Sequence, residues 1–138
     1  MPSKLVDPTS LPTMTFDWGL VKLLVAAENT HSRALSVLHV VLLPGKAHDR
    51  HNHPDADEVL YVLTGEGEQM LDDGEPFSVR PGQTLFIPKG AFHSTLNTGH
   101  EPMTILAVYA PAGAEQVLKE LPDYRELPPG EAPVLTRG

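Results

Sequence analysis

The sequence predicts an all-β domain built as an antiparallel sandwich or barrel. Short segments rich in aliphatic, β-branched and aromatic residues occupy positions 20–26, 34–43, 59–64, 68–71, 76–79, 84–87, 93–96 and 103–109. Turn-forming groups separate many of them, namely Pro44-Gly45, Asp72-Asp73-Gly74, Pro81-Gly82 and Lys89-Gly90. Closely spaced short strands of this kind are typical of antiparallel β folds. The chain also lacks the strand-helix alternation in which dinucleotide and phosphate-binding glycine motifs lie.

The two ends of the chain differ from this central region. Residues 1–19 contain three early prolines, and the stretch 127–133 is richer still in proline and glycine, so residues 1–19 and 122–138 are expected to be extended arms. Each arm either frays or lies across a neighbouring subunit. Between the last strand and the second arm, residues 114–121 predict one short helix packed on the outside of the barrel, with an apolar stripe of Val117, Leu118 and Leu121 that Pro122 ends.

Length and composition restrict the classes of function. A chain of 138 residues is expected to form one domain, with a barrel core at about 20–110. Its net charge of −8, without a basic cluster, argues against nucleic acid and anionic membranes as partners. No segment reads as a signal peptide or membrane span, so a soluble cytoplasmic protein is expected. Cysteine is absent, which leaves histidine and carboxylate as the strong metal-binding side chains.

Four residues have the spacing of a metal site. His51 and His53 are alternate residues and would share one face of a strand, with Glu58 shortly after them and His93 between two later strand-like segments. Three imidazoles and a carboxylate can surround a single divalent ion.

The surrounding residues extend this pattern. The stretches Gly45-x5-His51-x-His53-x4-Glu58-x6-Gly65 and Gly82-x5-Pro88-x-Gly90-x2-His93-x3-Asn97 resemble the two signature motifs of the cupin superfamily, and every defining position is occupied. The resemblance spans about residues 43–109 and is to small single-domain cupins of the cupin 2 type. It implies a double-stranded β-helix, or jelly-roll, barrel whose metal is bound by His51, His53, Glu58 and His93.

Other residues near the motifs receive weaker predictions. His31, His39, His48 and His100 are expected to be ordinary surface or packed histidines, and strand parity directs His48 away from the metal. Asp49 either orients a ligand imidazole or is a solvated turn carboxylate. Gln69 faces inward if its strand is regular, and it then either orients a substrate oxygen or lies at the rim bonded to backbone.

Two further groups are assigned to the surface or to packing. The carboxylates in turns are expected to be solvated rather than a second metal site: Asp55, Asp57, Asp72, Asp73 and Glu75. The aromatic residues Tyr61, Phe77, Phe86 and Phe92 are expected in the core or at a subunit contact. Open sheet edges and an apolar outer face favour a homodimer.

The ligand set favours Fe(II), Mn(II), Ni(II), Co(II) or Zn(II) without selecting among them. The favoured function is a metal-dependent, dioxygenase-like oxidoreductase that acts on a small organic substrate. The alternatives are a metal-dependent lyase, decarboxylase or isomerase, and a non-catalytic module that binds or senses a small molecule. A dry, apolar pocket would favour oxygen chemistry, whereas several convergent polar groups would favour the alternatives.

Overall fold

The computed structural model describes residues 2–131, which form two antiparallel sheets of a jelly-roll barrel. The strands are β1 (Thr13–Phe16), β2 (Gly19–Val25), β3 (Ser36–Leu42), β4 (Asp57–Thr64), β5 (Gly67–Leu71), β6 (Phe77–Val79), β7 (Thr84–Ile87), β8 (His93–Asn97), β9 (Met103–Ala110) and β10 (Arg125–Leu127). The larger sheet has the order β10-β1-β2-β3-β9-β4-β7, and the smaller one has the order β6-β5-β8. The predicted all-β class is therefore confirmed.

The core follows from the two-residue alternation of the strands. Along β9 the residues at odd positions, from Met103 to Tyr109, are buried, and those between them are partly exposed. In β4 the buried positions are Glu58, Leu60 and Val62, which pair with Tyr109, Ala107 and Ile105 of β9. Alternate side chains point to opposite faces of a strand, so this register places one row of each strand inside the barrel. The candidate ligand Glu58 belongs to that inward row.

Two strands lie where extended arms were expected. β1 pairs with β2 on one side and with β10 on the other, with Met14 opposite both Val21 and Glu126. Met14 and Phe16 are buried, because the sequence Thr-Met-Thr-Phe alternates polar and apolar residues as a half-buried strand does. The prediction of arms over 1–19 and 122–138 is thus wrong for these seven positions. Residues 132–138 of the second arm lie outside the described residues.

Three short helical segments complete the described chain, the first of them a 3-10 turn at Pro8–Ser10. Ala27–Thr30 forms a single helical turn, α1, that was not predicted. The predicted helix at 114–121 is a 3-10 helix at Ala114–Glu120. Its Glu115 is buried, and the carboxylate accepts hydrogen bonds from Ser36 Oγ at 2.8 Å and from Gly113 N at 3.0 Å. The helix was expected on the outside of the barrel. This anchor instead directs Leu118 toward the barrel interior, where it is buried. No helix among residues 2–131 is long and apolar enough to cross a membrane.

The second motif ends on a structural residue, Asn97. Its side chain is fully buried, and Nδ2 donates to the carbonyls of Leu42 and Glu101, both at 2.9 Å. The amide oxygen Oδ1 accepts from Gly99 N at 2.9 Å. Asn97 thereby joins β8, the end of β3 and the turn that leads into β9, which holds the smaller sheet against the larger one.

Gly65 and Gly82 allow a matched test of close packing in the barrel. Both have positive φ, +83° and +88°, but a Cβ on Gly65 would lie 2.9 Å from Met103 Cα, whereas one on Gly82 would meet nothing within 4 Å. Left-handed strain costs about 1–2 kcal/mol in either place. Gly65→Ala is expected to lower the free energy of unfolding by about 1–3 kcal/mol more than Gly82→Ala, because of overpacking. Urea denaturation measures both, and equal losses would contradict this account of Gly65.

Candidate metal centre

Three imidazoles meet inside one end of the barrel. His51, His53 and His93 each offer a ring nitrogen, and these atoms all lie within 4.8 Å of one another. The Glu58 carboxylate lies beside them, with Oε1 2.8 Å from His93 Nε2 and 3.7 Å from His53 Nε2. The four residues with metal-site spacing in the sequence are thus brought together.

Backbone contacts position these side chains. His93 begins β8, and His51 is joined to it by paired hydrogen bonds, His51 N to His93 O at 3.1 Å and His93 N to His51 O at 2.8 Å. His53 lies in the following turn, where its carbonyl accepts from Gly90 N at 3.0 Å. His51 and His53 were expected on one strand. Only an isolated β-bridge forms at His51, so the two residues do not share a regular strand. Their ring centroids are nevertheless only 4.9 Å apart.

Hydrogen bonds to backbone carbonyls fix the tautomers of two rings. His51 Nδ1 lies 2.7 Å from Asp49 O, and His93 Nδ1 lies 3.1 Å from Ala91 O. A carbonyl only accepts, so each Nδ1 donates and each Nε2 carries a free lone pair when the ring is neutral. The main chain of Asp49, rather than its carboxylate, therefore orients His51.

Three buried atoms of the cluster have no hydrogen-bond partner: His53 Nε2, Glu58 Oε1 and His93 Nε2. The short contact between His93 and Glu58 sets a nitrogen lone pair against a carboxylate oxygen, an arrangement that a shared cation stabilises. Buried polar atoms left unpaired are rare because their desolvation is unfavourable. The donor set and its orphaned atoms fit a divalent metal ion.

Burial also keeps two of these rings in the form that binds a metal. Burial, together with the neighbouring His48 and His93 rings, lowers the pKa of His51 to about 3. Burial lowers the pKa of His53 as well, against an opposing effect of the Glu58 charge. Imidazole must be neutral to bind a metal, so His51 and His53 are ready for an ion at neutral pH.

Tyr109 is a part of the site that the sequence analysis missed. It stands directly opposite Glu58 across β4 and β9, it is buried, and its ring lies edge-on to His53 at 4.7 Å. Burial raises the pKa of Tyr109 well above its usual 10, and the charge of Glu58 and a hydrogen bond to it act in the same direction. The phenol therefore stays protonated and interacts with the Glu58 carboxylate. Strand alternation over residues 103–109 could have indicated it, because Tyr109 lies in the same inward row as Met103, Ile105 and Ala107.

The cluster opens into a cavity of about 70 Å³. Room for one water needs about 10–15 Å³ on this measure, so the cavity accommodates a ligand the size of a few water molecules. Aliphatic side chains from β2, β3, β4 and β9 form most of its wall, together with Leu118 of the 3-10 helix. Apart from His51, His53, Glu58 and His93, the polar side chains among the described residues that line the cavity are His48, Thr95 and Tyr109.

His48 corrects a prediction. It was expected to point away from the metal, but it lines the cavity, with its ring centroid 4.1 Å from that of His51 and 4.8 Å from that of Trp18. The parity argument fails because residues 48–51 do not form a regular strand. The other three histidines outside the motifs, His31, His39 and His100, do not belong to the cluster.

Gln69 faces inward, as its strand parity indicates, and is fully buried. Thr95 Oγ1 donates to Gln69 Oε1 at 2.5 Å, and Gln69 Nε2 donates to Met70 O at 3.3 Å. Thr95 is part of the described cavity lining and Gln69 is not. A substrate-orienting role for Gln69 thus remains a prediction, and it would act through Thr95.

Comparisons with known proteins agree with this geometry. The family model described as Cupin domain matches residues 38–109. The oxalate-binding protein of Thermotoga maritima is 31% identical over 105 residues, which cover 75% of this chain and 86% of that protein. A glucose-6-phosphate isomerase of Thermococcus gammatolerans is 36% identical over 92 residues, but the match covers only 48% of it. The crystal structure of a predicted oxalate decarboxylase from Thermotoga maritima has a TM-score of 0.67 at 27% identity, covering 78% of this chain and 99% of that one.

The cluster predicts that a metal stabilises the fold. A divalent ion that binds only the folded chain adds about 2.7 kcal/mol when its free concentration is a hundredfold above Kd. Wild type is expected to unfold at a higher temperature with Mn(II) or Zn(II), and His93→Ala is expected to lose that gain because it removes a donor. His100→Ala, an exposed histidine elsewhere, is the control. Calorimetry with metal analysis measures both, and an undiminished gain in His93→Ala would refute the assignment.

Proposed function

The chain belongs to the cupin family, and from that premise we propose that it is a metal-dependent enzyme for a small organic substrate, most specifically a dioxygenase-like oxidoreductase. In this proposal His51, His53, Glu58 and His93 hold one divalent transition metal. When bound, such an ion supplies a redox-active Lewis acid that keeps positions for exogenous oxygen ligands, because the protein provides four donors of a usual six.

The observation that carries the proposal is the apolar cavity onto which the cluster opens. Its wall is mainly aliphatic, and two of its three other polar side chains are already engaged: Thr95 donates to Gln69, and Tyr109 interacts with Glu58. Such a wall excludes water from the site and offers a substrate few hydrogen bonds. That environment favours oxygen chemistry on an organic substrate over reactions that need several acid-base groups.

The residues around the cluster have separate tasks in this proposal. The carbonyls of Asp49 and Ala91 hold two rings with Nε2 toward the centre, and Tyr109 holds the carboxylate of Glu58. The small volume selects a compact substrate. His48 is a cavity-lining imidazole outside the proposed ligands, available to bind a substrate oxygen or to transfer a proton.

His48 also supports a second candidate function, a metal-dependent decarboxylase, lyase or isomerase. Such a reaction needs a base beside the substrate carbon, and His48 lies on the cavity wall outside the proposed ligands. Similarity to an oxalate-binding protein and to a predicted oxalate decarboxylase favours a small carboxylate as ligand. Binding of such a carboxylate without turnover is the non-catalytic version of this candidate.

Oxygen consumption separates the two candidates. Metal analysis of protein purified without a His-tag is expected to find a redox-active ion, and the Fe(II)-loaded protein is expected to consume oxygen with at least one member of a panel of diols, diketones and hydroxy acids. His93→Ala is expected to consume none. Turnover of oxalate or another small acid without oxygen uptake would establish the second candidate instead.

We further propose that the protein is a homodimer that pairs through the outer face of its larger sheet. The outward row of β4 and β7 includes Tyr61, Leu63 and Phe86, which are 40%, 38% and 62% exposed. Leu106 and Val108 of β9 continue the row across the sheet, opposite Tyr61 and Val59. These five side chains are uncharged, so this part of the face allows two chains of net charge −8 to approach each other.

Phe86 and Tyr61 provide the test of this interface. Phe86→Glu with Tyr61→Glu is expected to give a monomer, because both changes place a negative charge in an apolar contact and the like charges of the two chains repel each other. Leu5→Glu, at an apolar residue that is 93% exposed on the N-terminal segment, is the control and should stay dimeric. Sedimentation velocity at micromolar concentration measures all three proteins. A wild type that sediments as a monomer would refute the dimer, and a dimeric double variant would refute this face.

A further inference from the structure

Two separate spaces meet at the rings of Trp18 and His48. The inner one is the cavity of about 70 Å³ beside the metal cluster, and the outer one is a cleft of about 710 Å³. Trp18 and His48 line both. They are therefore the partition between the site and a much larger space that begins on its far side.

Packing on both sides holds the partition in place. The Trp18 ring stacks on Phe16 with centroids 4.6 Å apart and planes 3° from parallel, and it contacts His48 at 4.8 Å. His48 in turn contacts His51 at 4.1 Å. The carbonyl of Trp18 accepts a hydrogen bond from Leu43 N at 3.0 Å, which ties the turn before β2 to the end of β3. The two rings thus form a continuous layer from the buried Phe16 to a proposed ligand.

The two sides of the partition differ in chemistry. The inner cavity is bounded mainly by aliphatic side chains. The outer cleft includes Thr15 of β1, Asp17 of the turn that follows it, and Asp123 and Arg125 of the C-terminal segment. A ligand in the inner cavity gains from each methylene group until its chain reaches the indole. Beyond that length it must displace Trp18, which is stacked on Phe16.

We propose that Trp18 is a specificity-determining residue that sets the longest chain accepted at the metal site, and that the outer cleft becomes an extension of the site when this ring is reduced. The inference rests on the proposed function only in requiring that a small ligand occupies the inner cavity. It concerns the length of that ligand and is independent of the reaction.

Straight-chain monocarboxylates from acetate to octanoate, titrated calorimetrically into Zn(II)-loaded protein, test the proposal without redox chemistry. Affinity for wild type is expected to rise about fourfold per methylene group, as hydrophobic transfer predicts. At a limiting length it should then fall by about tenfold or more, the effect of overpacking. Trp18→Ala should move that limit to acids longer by at least two methylene groups. Val40→Ala, at a residue that lines the inner cavity but not the outer cleft, is the matched control and should leave the limit unchanged.

A second measurement needs no variant, because Trp18 is the single tryptophan of the chain. Its fluorescence should change when the acid of limiting length binds and should not change with acetate. Equal changes for both acids, or an unmoved limit in Trp18→Ala with zinc content and circular dichroism retained, would overturn the role of Trp18 while leaving the proposed function intact. Failure of every acid to bind both wild type and Trp18→Ala would remove the small-ligand site itself, and the inference with it.

Discussion

The structure depends on the placement of one carboxylate inside an apolar barrel. Glu58 is 3% exposed, and its Oε1 has no hydrogen-bond partner, although an isolated buried charge destabilises a protein by several kcal/mol. The Tyr109 hydroxyl offsets part of that effect, whereas the imidazole nitrogens beside the carboxylate add to it, because their lone pairs face its oxygen. A divalent cation shared by these donors removes the remaining penalty. We therefore expect folding and metal binding to be coupled in this chain.

The barrel supplies the geometry that brings this group together. Glu58 comes from the inward row of β4, whereas His93 begins β8 in the other sheet. The hydrogen-bonded bridge between His51 and His93 joins a loop to that sheet and sets the spacing of the two rings. Asn97 keeps the sheets close enough for these contacts, and Gly65 lets the chain after β4 pack closely against Met103 of β9. The residues that build the barrel are thus also the residues that position the site.

The sequence motifs predicted the features that depend on residue type and local spacing. Histidines and a carboxylate at fixed spacing identified the cluster, and strand alternation placed Glu58 and Gln69 inside. Strand alternation gave the wrong side-chain direction for His48, because the chain there is not a regular strand and alternate residues need not share a face. At β1 the alternation of Thr13–Phe16 was present, but the prolines before it were interpreted as turns. The pairing of β1 with β10, at the far end of the sequence, leaves no local signal.

The division between the matched family region and its flanks explains why the site is easier to predict than its ligand. The family model covers residues 38–109, which contain all four proposed ligands and Tyr109. Trp18 and Val21 precede that region, Leu118 follows it, and all three line the cavity. The shared core thus contains the proposed metal donors, whereas the flanking segments provide much of the cavity wall. The ligand that the proposed site accepts is therefore expected to depend as much on β2, the turn at Trp18 and the 3-10 helix as on the motifs.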